Sequence, residues 1–219
     1  MEKVDLKKDL KHLYRPSAKA VSVENVPSLN FLMIDGSGNP NTSPEYAQAV
    51  EALFALAYAL KFKVKKSEAG IDYAVMPLEG LWWAEDMSQF NANDKEAWQW
   101  TMMIMQPDYI TVALFAKALP EVEKKKKNAA LKRIRFEPYH EGLSAQIMHN
   151  GSYAEEAPTI AKLHDYIVRS GNKLQGQHHE IYLNDPRKTQ PTKLQTIIRQ
   201  PFKLRDDGSE AKAKLETNG

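Results

Sequence analysis

The chain has 219 residues, of which 30 are basic and 28 acidic, so its formal net charge is only +2. A charge this close to zero argues against a nucleic-acid-binding surface, and the absence of cysteine excludes disulfide scaffolds, thiol nucleophiles and cysteine-ligated metal sites. The first ten residues alternate charged with single apolar residues, so they lack the apolar stretch of a signal peptide, and no uncharged run reaches the roughly 18–20 residues of a membrane span. We therefore expect a cytoplasmic protein with neither nucleic acid nor a membrane as a partner.

The first elements along the chain are a lead-in, a strand and a helix. Residues 1–16 carry mixed charges and form the lead-in. The apolar run 29–34 predicts a buried strand that ends at a glycine-containing turn. Ser43 then stands at an N-cap position and Pro44 at the first position of a helix, which we expect to end near Phe62.

Further along the first half, two strands and a helical region are predicted. The segments 71–76 and 80–84 have the pattern of a hairpin joined across a proline. Residues 86–130 are predicted to be a helical insert, with one helix over 97–105 and a second over 109–127.

The second half of the chain repeats the order of the first. Its predicted elements are a strand at 143–148, a glycine turn at 149–152, a helix at 155–170, and strands at 179–184 and 195–199. Gly36 and Gly151 occupy corresponding turns, and each half has a proline four residues after a strand tyrosine, Tyr73 or Tyr182. The matching order of elements indicates a duplication.

The spacing of polar residues favours neither a metal nor a cofactor. His178 and His179 are adjacent, so on a strand they point to opposite faces, and no histidine pair has helical i, i+4 spacing. The segment 36–38, Gly-Ser-Gly, lacks both the third glycine of a dinucleotide-binding loop and the lysine of a phosphate-binding loop. We therefore predict no metal and no cofactor.

Two groups of residues are candidates for a binding site. Trp98 and Met102 belong to a cluster of indoles and thioethers that either lines a pocket or forms part of the core. On the strand 178–184, alternation puts Glu180 and Tyr182 on one face. Glu180 is either an outward-facing residue of an exposed sheet or the floor of an aromatic cleft, where burial would raise its pKa toward neutrality and suit it to general-base catalysis or to pairing with a cation.

Several stretches of the second half resemble the GyrI-like small-molecule-binding family. They are the turn 150–153, the helical segment 160–167, the run Glu180-Ile181-Tyr182-Leu183-Asn184-Asp185-Pro186, and residues 194–201. The resemblance covers about residues 17–204. It implies an α+β fold of duplicated β-α-β-β modules with pseudo-twofold symmetry, a central aromatic-lined ligand groove, and a central glutamate that matches Glu180.

The resemblance also implies a domain organisation. It consists of the lead-in 1–16, a domain at 17–204 with repeats at about 28–85 and 132–203 separated by the insert 86–130, and a flexible tail at 205–219. Members of the family occur as effector-binding domains of multidrug-responsive regulators and as stand-alone proteins. Because the lead-in is too short for a DNA-binding region, we expect a stand-alone protein.

Some stand-alone members of the family hydrolyse cyclopropane-containing electrophilic genotoxins, which implies a metal-independent detoxifying hydrolase that binds hydrophobic or cationic molecules. Glu180 and Tyr182 are its predicted catalytic residues. The predicted ligand-binding residues are Tyr73, which would face Tyr182 across the groove, one of Trp82 and Trp83, and Trp98, Met102 and Tyr153. The alternatives are a non-catalytic drug-sequestering binder and a protein-interaction module that acts on a topoisomerase.

Overall fold

The structure is a computed structural model that describes residues 2–84 and 95–205. Its strands are β1 (Glu2–Val4), β2 (Ser22–Ser37), β3 (Ile71–Tyr73), β4 (Leu78–Trp83), β5 (Gln99–Gln106), β6 (Arg135–Asn150), β7 (Lys173–Leu174), β8 (His178–Tyr182) and β9 (Gln195–Lys203). Its helices are α1 (Leu6–Asp9), α2 (Lys11–Tyr14), α3 (Pro44–Lys66), α4 (Val112–Lys125) and α5 (Ala157–Arg169). The α+β class predicted from the sequence is confirmed.

Six of the strands form a closed antiparallel β-barrel. β2 pairs with β5, β5 with β4, β4 with β8, β8 with β9, and β9 with β6, which returns to β2. The 16 residues of β6 allow it to pair with β2 along its first part and with β9 along its second. Because closure leaves no open edge among these six strands, the barrel is a rigid platform for side chains on its surface.

The helix α3 begins where its sequence predicts. The Ser43 hydroxyl accepts a hydrogen bond from the backbone N–H of Tyr46, and Pro44 is the first helical residue. Small and aliphatic side chains form the buried face that packs against β2 and β5: Ala49, Ala52, Leu53, Leu56, Ala57, Leu60 and Val64. The helix extends to Lys66, a turn beyond the predicted end, and its first turn lies beside the candidate site.

The strand β5 occupies a segment that was predicted to be helical, and that prediction is wrong. Gln99–Gln106 lies between β2 and β4, with Trp100 paired to Gly36 on one side and to Trp82 on the other. Every residue from Trp100 to Gln106 is buried. Because both faces of β5 are covered, its sequence lacks the period-two alternation that marks a half-exposed strand.

The predicted hairpin of residues 71–76 and 80–84 is also wrong. β3 pairs in parallel with β1, so that Tyr73 lies opposite Val4, whereas β4 is part of the barrel. The lead-in at the N-terminus thus supplies the partner strand of β3. The first part of the predicted insert, 85–94, and the predicted tail from 206 onward lie outside the described residues. Of the helices in the described part, none has the length and apolar character of a membrane span.

Candidate functional site

Glu180 lies at the middle of β8, and its carboxylate is held by two hydrogen-bond donors. The Tyr182 hydroxyl donates to Oε2 at 2.7 Å, and Nε2 of His178 lies 3.0 Å from Oε1. These three side chains share one face of β8, because residues at i and i+2 on a strand point the same way. The alternation in the sequence therefore predicts this grouping correctly.

The neighbouring strand β4 fixes the orientation of the Tyr182 hydroxyl. Nε1 of Trp82 donates to that hydroxyl at 2.9 Å, which leaves the hydroxyl proton free to point at Glu180. Gly80 pairs directly with Glu180 across the two strands. A Cβ atom at Gly80 would lie 2.8 Å from Nε1 of Trp82 and 2.5 Å from Cε of Met102, so only glycine lets these side chains pack against the strand.

Aromatic rings surround this group on two sides. Tyr46, in the first turn of α3, stacks on Trp82 with ring centroids 6.1 Å apart, and Trp98 meets Trp82 edge-on at 5.5 Å. Tyr153, in the turn before α5, meets Tyr182 edge-on at 5.6 Å. Trp82 is buried, whereas Tyr153 is 41% exposed, so the rings lead from the protein interior to the solvent.

The electrostatics of Glu180 differ from the sequence-based expectation. Burial opposes its ionisation, but the hydrogen bonds and positive charge from His178, together with the hydrogen bond from Tyr182, outweigh burial and hold the pKa of Glu180 below its ordinary value. The prediction that burial raises the pKa of Glu180 toward neutrality is therefore wrong. Glu180 is an ionised carboxylate at neutral pH.

A second carboxyl group, Glu156, was missed by the sequence analysis. It directly precedes α5 and is only 4% exposed, and burial and the negative charge of Glu180 raise its pKa. Its neighbour Glu155 is exposed and accepts hydrogen bonds from the backbone N–H and the hydroxyl of Ser152. The spacing Ser152-x-x-Glu155 is the sequence signature of a capping box and marks Glu155 as the capping carboxylate, but no pattern in the sequence marks Glu156 as buried. We call Trp82, Glu156, His178, Glu180 and Tyr182 the Glu180 cluster.

Of the other predicted ligand-binding residues, Met102 lies near Glu180, whereas Trp83 and Tyr73 do not. Met102 is buried on the Glu180 side of the sheet, next to Gly80. Trp83 points away from Trp82, because neighbouring strand residues alternate, and its Nε1 donates to Gln99. Tyr73 lies on β3, where its ring packs edge-on against Tyr109 at 5.4 Å. The expectation that Tyr73 faces Tyr182 is therefore wrong.

The opposite face of β8 carries a different polar cluster, centred on His179. Its ring nitrogens lie 3.0 Å from a carboxylate oxygen of Glu79 and 2.9 Å from one of Glu141. The Arg199 guanidinium donates to Glu141 at 3.1 Å, and the Tyr14 hydroxyl donates to Glu79 at 2.7 Å. Each of these side chains is at most 2% exposed. We call Tyr14, Glu79, Glu141, His179 and Arg199 the His179 cluster.

The charge states within the His179 cluster follow from its hydrogen bonds. Ionised carboxylates only accept hydrogen bonds, so both ring nitrogens of His179 must donate, and the imidazole is protonated. Burial opposes that charge, but Glu141 and Glu79 outweigh it and raise the pKa of His179 to about 9. Burial likewise opposes ionisation of Glu141, but His179 and Arg199 lower its pKa to about 2. Within residues 2–84 and 95–205, no group of three or more acidic and histidine side chains has a geometry suited to a metal ion.

Comparison with known proteins identifies the family. The model of the GyrI-like small-molecule-binding domain matches residues 19–203 of the chain. The chain belongs to the GyrI-like family. The family predicted from the sequence is thus confirmed. No curated protein sequence matches this GyrI-like protein.

Solved structures agree with this assignment. An uncharacterized conserved protein from Listeria innocua shares 38% identity and a TM-score of 0.84, over 91% of this chain and 100% of that one. A hydrolase from Listeria innocua shares 35% identity and a TM-score of 0.80, again over 91% and 100% of the two chains. The EcmrR C-terminal domain has the same fold at 11% identity, with a TM-score of 0.52 over 85% of this chain and 98% of that domain.

Proposed function

We propose that this GyrI-like protein binds a hydrophobic or cationic small molecule beside Glu180 and hydrolyses a strained electrophile, of which cyclopropane-containing genotoxins are the predicted class. The observation that carries the proposal is an ionised, doubly hydrogen-bonded carboxylate among aromatic rings. The family assignment and the similarity to a Listeria innocua hydrolase at 35% identity also support it. Such an activity would make the protein a detoxifying enzyme with multidrug-type binding, and we propose the cytoplasm as its location.

Glu180 is the base in this proposal, and Tyr182 positions it. A carboxylate has about four lone-pair sites, so the two observed hydrogen bonds leave room for a water molecule to donate a third. The water oxygen attacks the electrophilic carbon while its proton passes to Glu180. Because Trp82 and Tyr182 hold the carboxylate in one orientation, the attacking water is oriented as well.

Rings near Glu180 are the proposed ligand contacts. Trp82 and Tyr153, both predicted from the sequence, contact Tyr46 and Tyr182 respectively, and flat rings favour flat or cationic ligands. Tyr46 takes the place that the sequence analysis gave to Tyr73. Trp98 and Met102 complete the proposed set, because both lie beside this group of side chains.

The proposed duplication accounts for the location of Glu180. The order strand, helix, short strand, strand, strand occurs first as β2-α3-β3-β4-β5 and then as β6-α5-β7-β8-β9. The pairing is also alike, since β2 pairs with β5 as β6 pairs with β9. In this interpretation Glu180 and Gly80 face each other where the two repeats meet, at the β4–β8 contact.

Substitution of Glu180 by glutamine tests the proposal. We expect Glu180→Gln to lower kcat for hydrolysis of a cyclopropane-containing electrophile by roughly 100-fold or more, because the proton acceptor is lost. The hydrated product is measured by mass spectrometry, and ligand binding is followed by tryptophan fluorescence, which should still change. The control is Glu137→Gln, at an exposed position of β6. Unchanged turnover in Glu180→Gln would refute the catalytic role of Glu180. If wild-type protein instead protected cells from the electrophile only in stoichiometric amounts and formed no hydrated product, the drug-sequestering alternative would be supported.

A further inference from the structure

The negative charge of Glu180 acts on the buried carboxyl group of Glu156, but the surroundings of the two groups differ. Both oxygens of Glu180 meet hydrogen-bond donors. Oε1 of Glu156 is buried and meets no partner among the described residues. The buried hydroxyl of Thr196 on β9 makes no hydrogen bond of ordinary geometry there, although it lies close enough to Glu156 to lower the pKa of that group. Although Glu156 occupies the N-cap position of α5, its side chain makes no capping hydrogen bond. The Glu156 carboxyl group therefore does not accept hydrogen bonds from the backbone N–H groups at the start of α5, which are the usual donors for a carboxylate at this position.

This difference decides which of the two groups is ionised. A buried carboxylate with an unpartnered oxygen is disfavoured, and a second negative charge beside Glu180 disfavours it further. For Glu156 these two effects outweigh the Thr196 hydroxyl and the charge of Lys95, which act in the opposite direction. Burial and the charge of Glu180 thus raise the pKa of Glu156, whereas the donors around Glu180 keep that group anionic. Two adjacent carboxyl groups with unequal surroundings are a common arrangement for an acid and a base.

We infer that Glu156 and Glu180 form a carboxyl pair holding one proton, which resides on Glu156, and that Glu156 is the general acid of the hydrolysis. The inference rests on the proposed function and adds a proton donor to it. The substrates that fit are electrophiles whose departing atom needs a proton, such as a strained ring that opens onto carbon, nitrogen or oxygen.

The step balances with these two groups alone. Water loses a proton to Glu180 as its oxygen bonds to the electrophilic carbon of the ring. The bond from that carbon to the departing ring atom breaks, and its electron pair stays on the departing atom, which takes the proton from Glu156. Glu180 is then protonated and Glu156 ionised, and transfer of the proton back to Glu156 restores the pair.

The pair has charged and titratable neighbours on several elements. They are His178, His179 and Tyr182 on β8, Tyr46 on α3, Tyr153 in the turn before α5, and Lys95 in the turn before β5. Activity requires Glu180 ionised and Glu156 protonated, so the rate should fall when acid protonates Glu180 and again when base ionises Glu156. The decrease in rate at alkaline pH is the one caused by ionisation of Glu156.

The shared proton can be measured without any substrate, by infrared titration of protonated carboxyl groups. We expect a protonated carboxyl signal at neutral pH in the wild-type protein and its loss in Glu156→Gln. The matched control is Glu155→Gln, which should keep the signal, since Glu155 is exposed and outside the pair. In Glu180→Gln the signal should disappear at a lower pH than in wild type, because the neighbouring negative charge is gone. A neutral-pH signal that survives in Glu156→Gln would overturn the inference.

The role as acid is measured by kinetics. We expect Glu156→Gln to lower kcat by roughly 100-fold and to remove the alkaline limb of the pH–rate profile, with the folded state retained because the amide replaces a neutral acid. Glu156→Asp, which keeps the carboxyl group, should retain an alkaline limb. Full activity with an unchanged alkaline limb in Glu156→Gln would overturn the role. If wild-type protein forms no hydrated product, both the proposed hydrolysis and the role of Glu156 as its acid are refuted. The infrared titration then still tests, independently, whether Glu156 and Glu180 share a proton.

Discussion

His178 and His179 are neighbours on β8, yet they belong to clusters of opposite character. In the His179 cluster, two carboxylates face a guanidinium and an imidazolium, and both ring nitrogens of His179 are bonded. In the Glu180 cluster, one carboxylate meets two donors while the buried Oε1 of Glu156 is unpaired among the described residues. In the His179 cluster the hydrogen-bonding groups are paired and the charges balance, which is typical of a network that supports the fold. In the Glu180 cluster a buried carboxyl oxygen has no partner in the described part of the chain, which is typical of a site that binds a ligand or a proton.

The elements that cover each face of β8 explain the difference. The His179 side is closed by the N-terminal lead-in, where Arg199 donates to the backbone carbonyl of Leu13 and Tyr14 reaches Glu79. The Glu180 side is bordered by the first turn of α3 and the turn before α5, where Tyr153 is 41% exposed. Among the described residues, the Glu180 side is thus bordered by a partly exposed ring, whereas each side chain of the His179 cluster is at most 2% exposed.

The largest effect on stability is expected from breaking the His179 cluster. Glu141→Gln leaves His179 and Arg199 facing a single carboxylate in a fully buried site, so the free energy of unfolding should fall by about 3–5 kcal/mol. Urea denaturation measures the change. Glu137→Gln, on the same strand but exposed, should cost less than about 1 kcal/mol. Equal losses in the two variants would show that the His179 cluster contributes no more than a surface ion pair.

The pH dependence of stability should follow the same cluster. A carboxylate whose pKa is lowered by folding stabilises the folded state at any pH above its unfolded pKa. The pKa of Glu141 falls from 4.5 to about 2 on folding, so the free energy of unfolding should decrease by about 3 kcal/mol as the pH falls through that range. His179 has a raised pKa, so its contribution is complete below pH 6.5 and is lost as the pH rises to about 9. Urea midpoints measured across pH should show both losses in wild type and weaker ones in Glu141→Gln. If the urea midpoints of wild type and Glu141→Gln changed with pH in parallel, the pH dependence would not come from Glu141 and His179.

The smallest expected effects come from a matched pair of tyrosines. Tyr14 and Tyr182 each donate to a glutamate at 2.7 Å, one in each cluster. Tyr14→Phe removes one hydrogen bond, from the fully buried Glu79, and should cost about 1–2 kcal/mol. Tyr182→Phe removes two, because the hydroxyl also accepts from the buried Trp82, and should cost about 2–3 kcal/mol. Thermal or urea unfolding compares the two. A greater cost for Tyr14→Phe would contradict this ranking and show that the environment of Glu79 outweighs the number of hydrogen bonds removed.

Part of this architecture could be predicted from local sequence. Ser43 and Pro44 predict the start of α3, because capping depends only on neighbouring residues. The alternation along β8 predicts that His178, Glu180 and Tyr182 share a face. β5 was predicted incorrectly because burial on both faces removes the alternation that a strand assignment needs.

The sequence by itself determined the family, the α+β class and the shared strand face of His178, Glu180 and Tyr182, since all three depend on motifs and periodicities within short segments. Tertiary structure decided that β3 pairs with β1, that Tyr46 rather than Tyr73 lies near the Glu180 cluster, and that Glu156 has a buried carboxyl oxygen with no partner among the described residues. Burial, pairing partners and proton affinity depend on residues brought together from β4, β8, β9, α3 and α5. Such contacts between distant segments exist only once the barrel has closed.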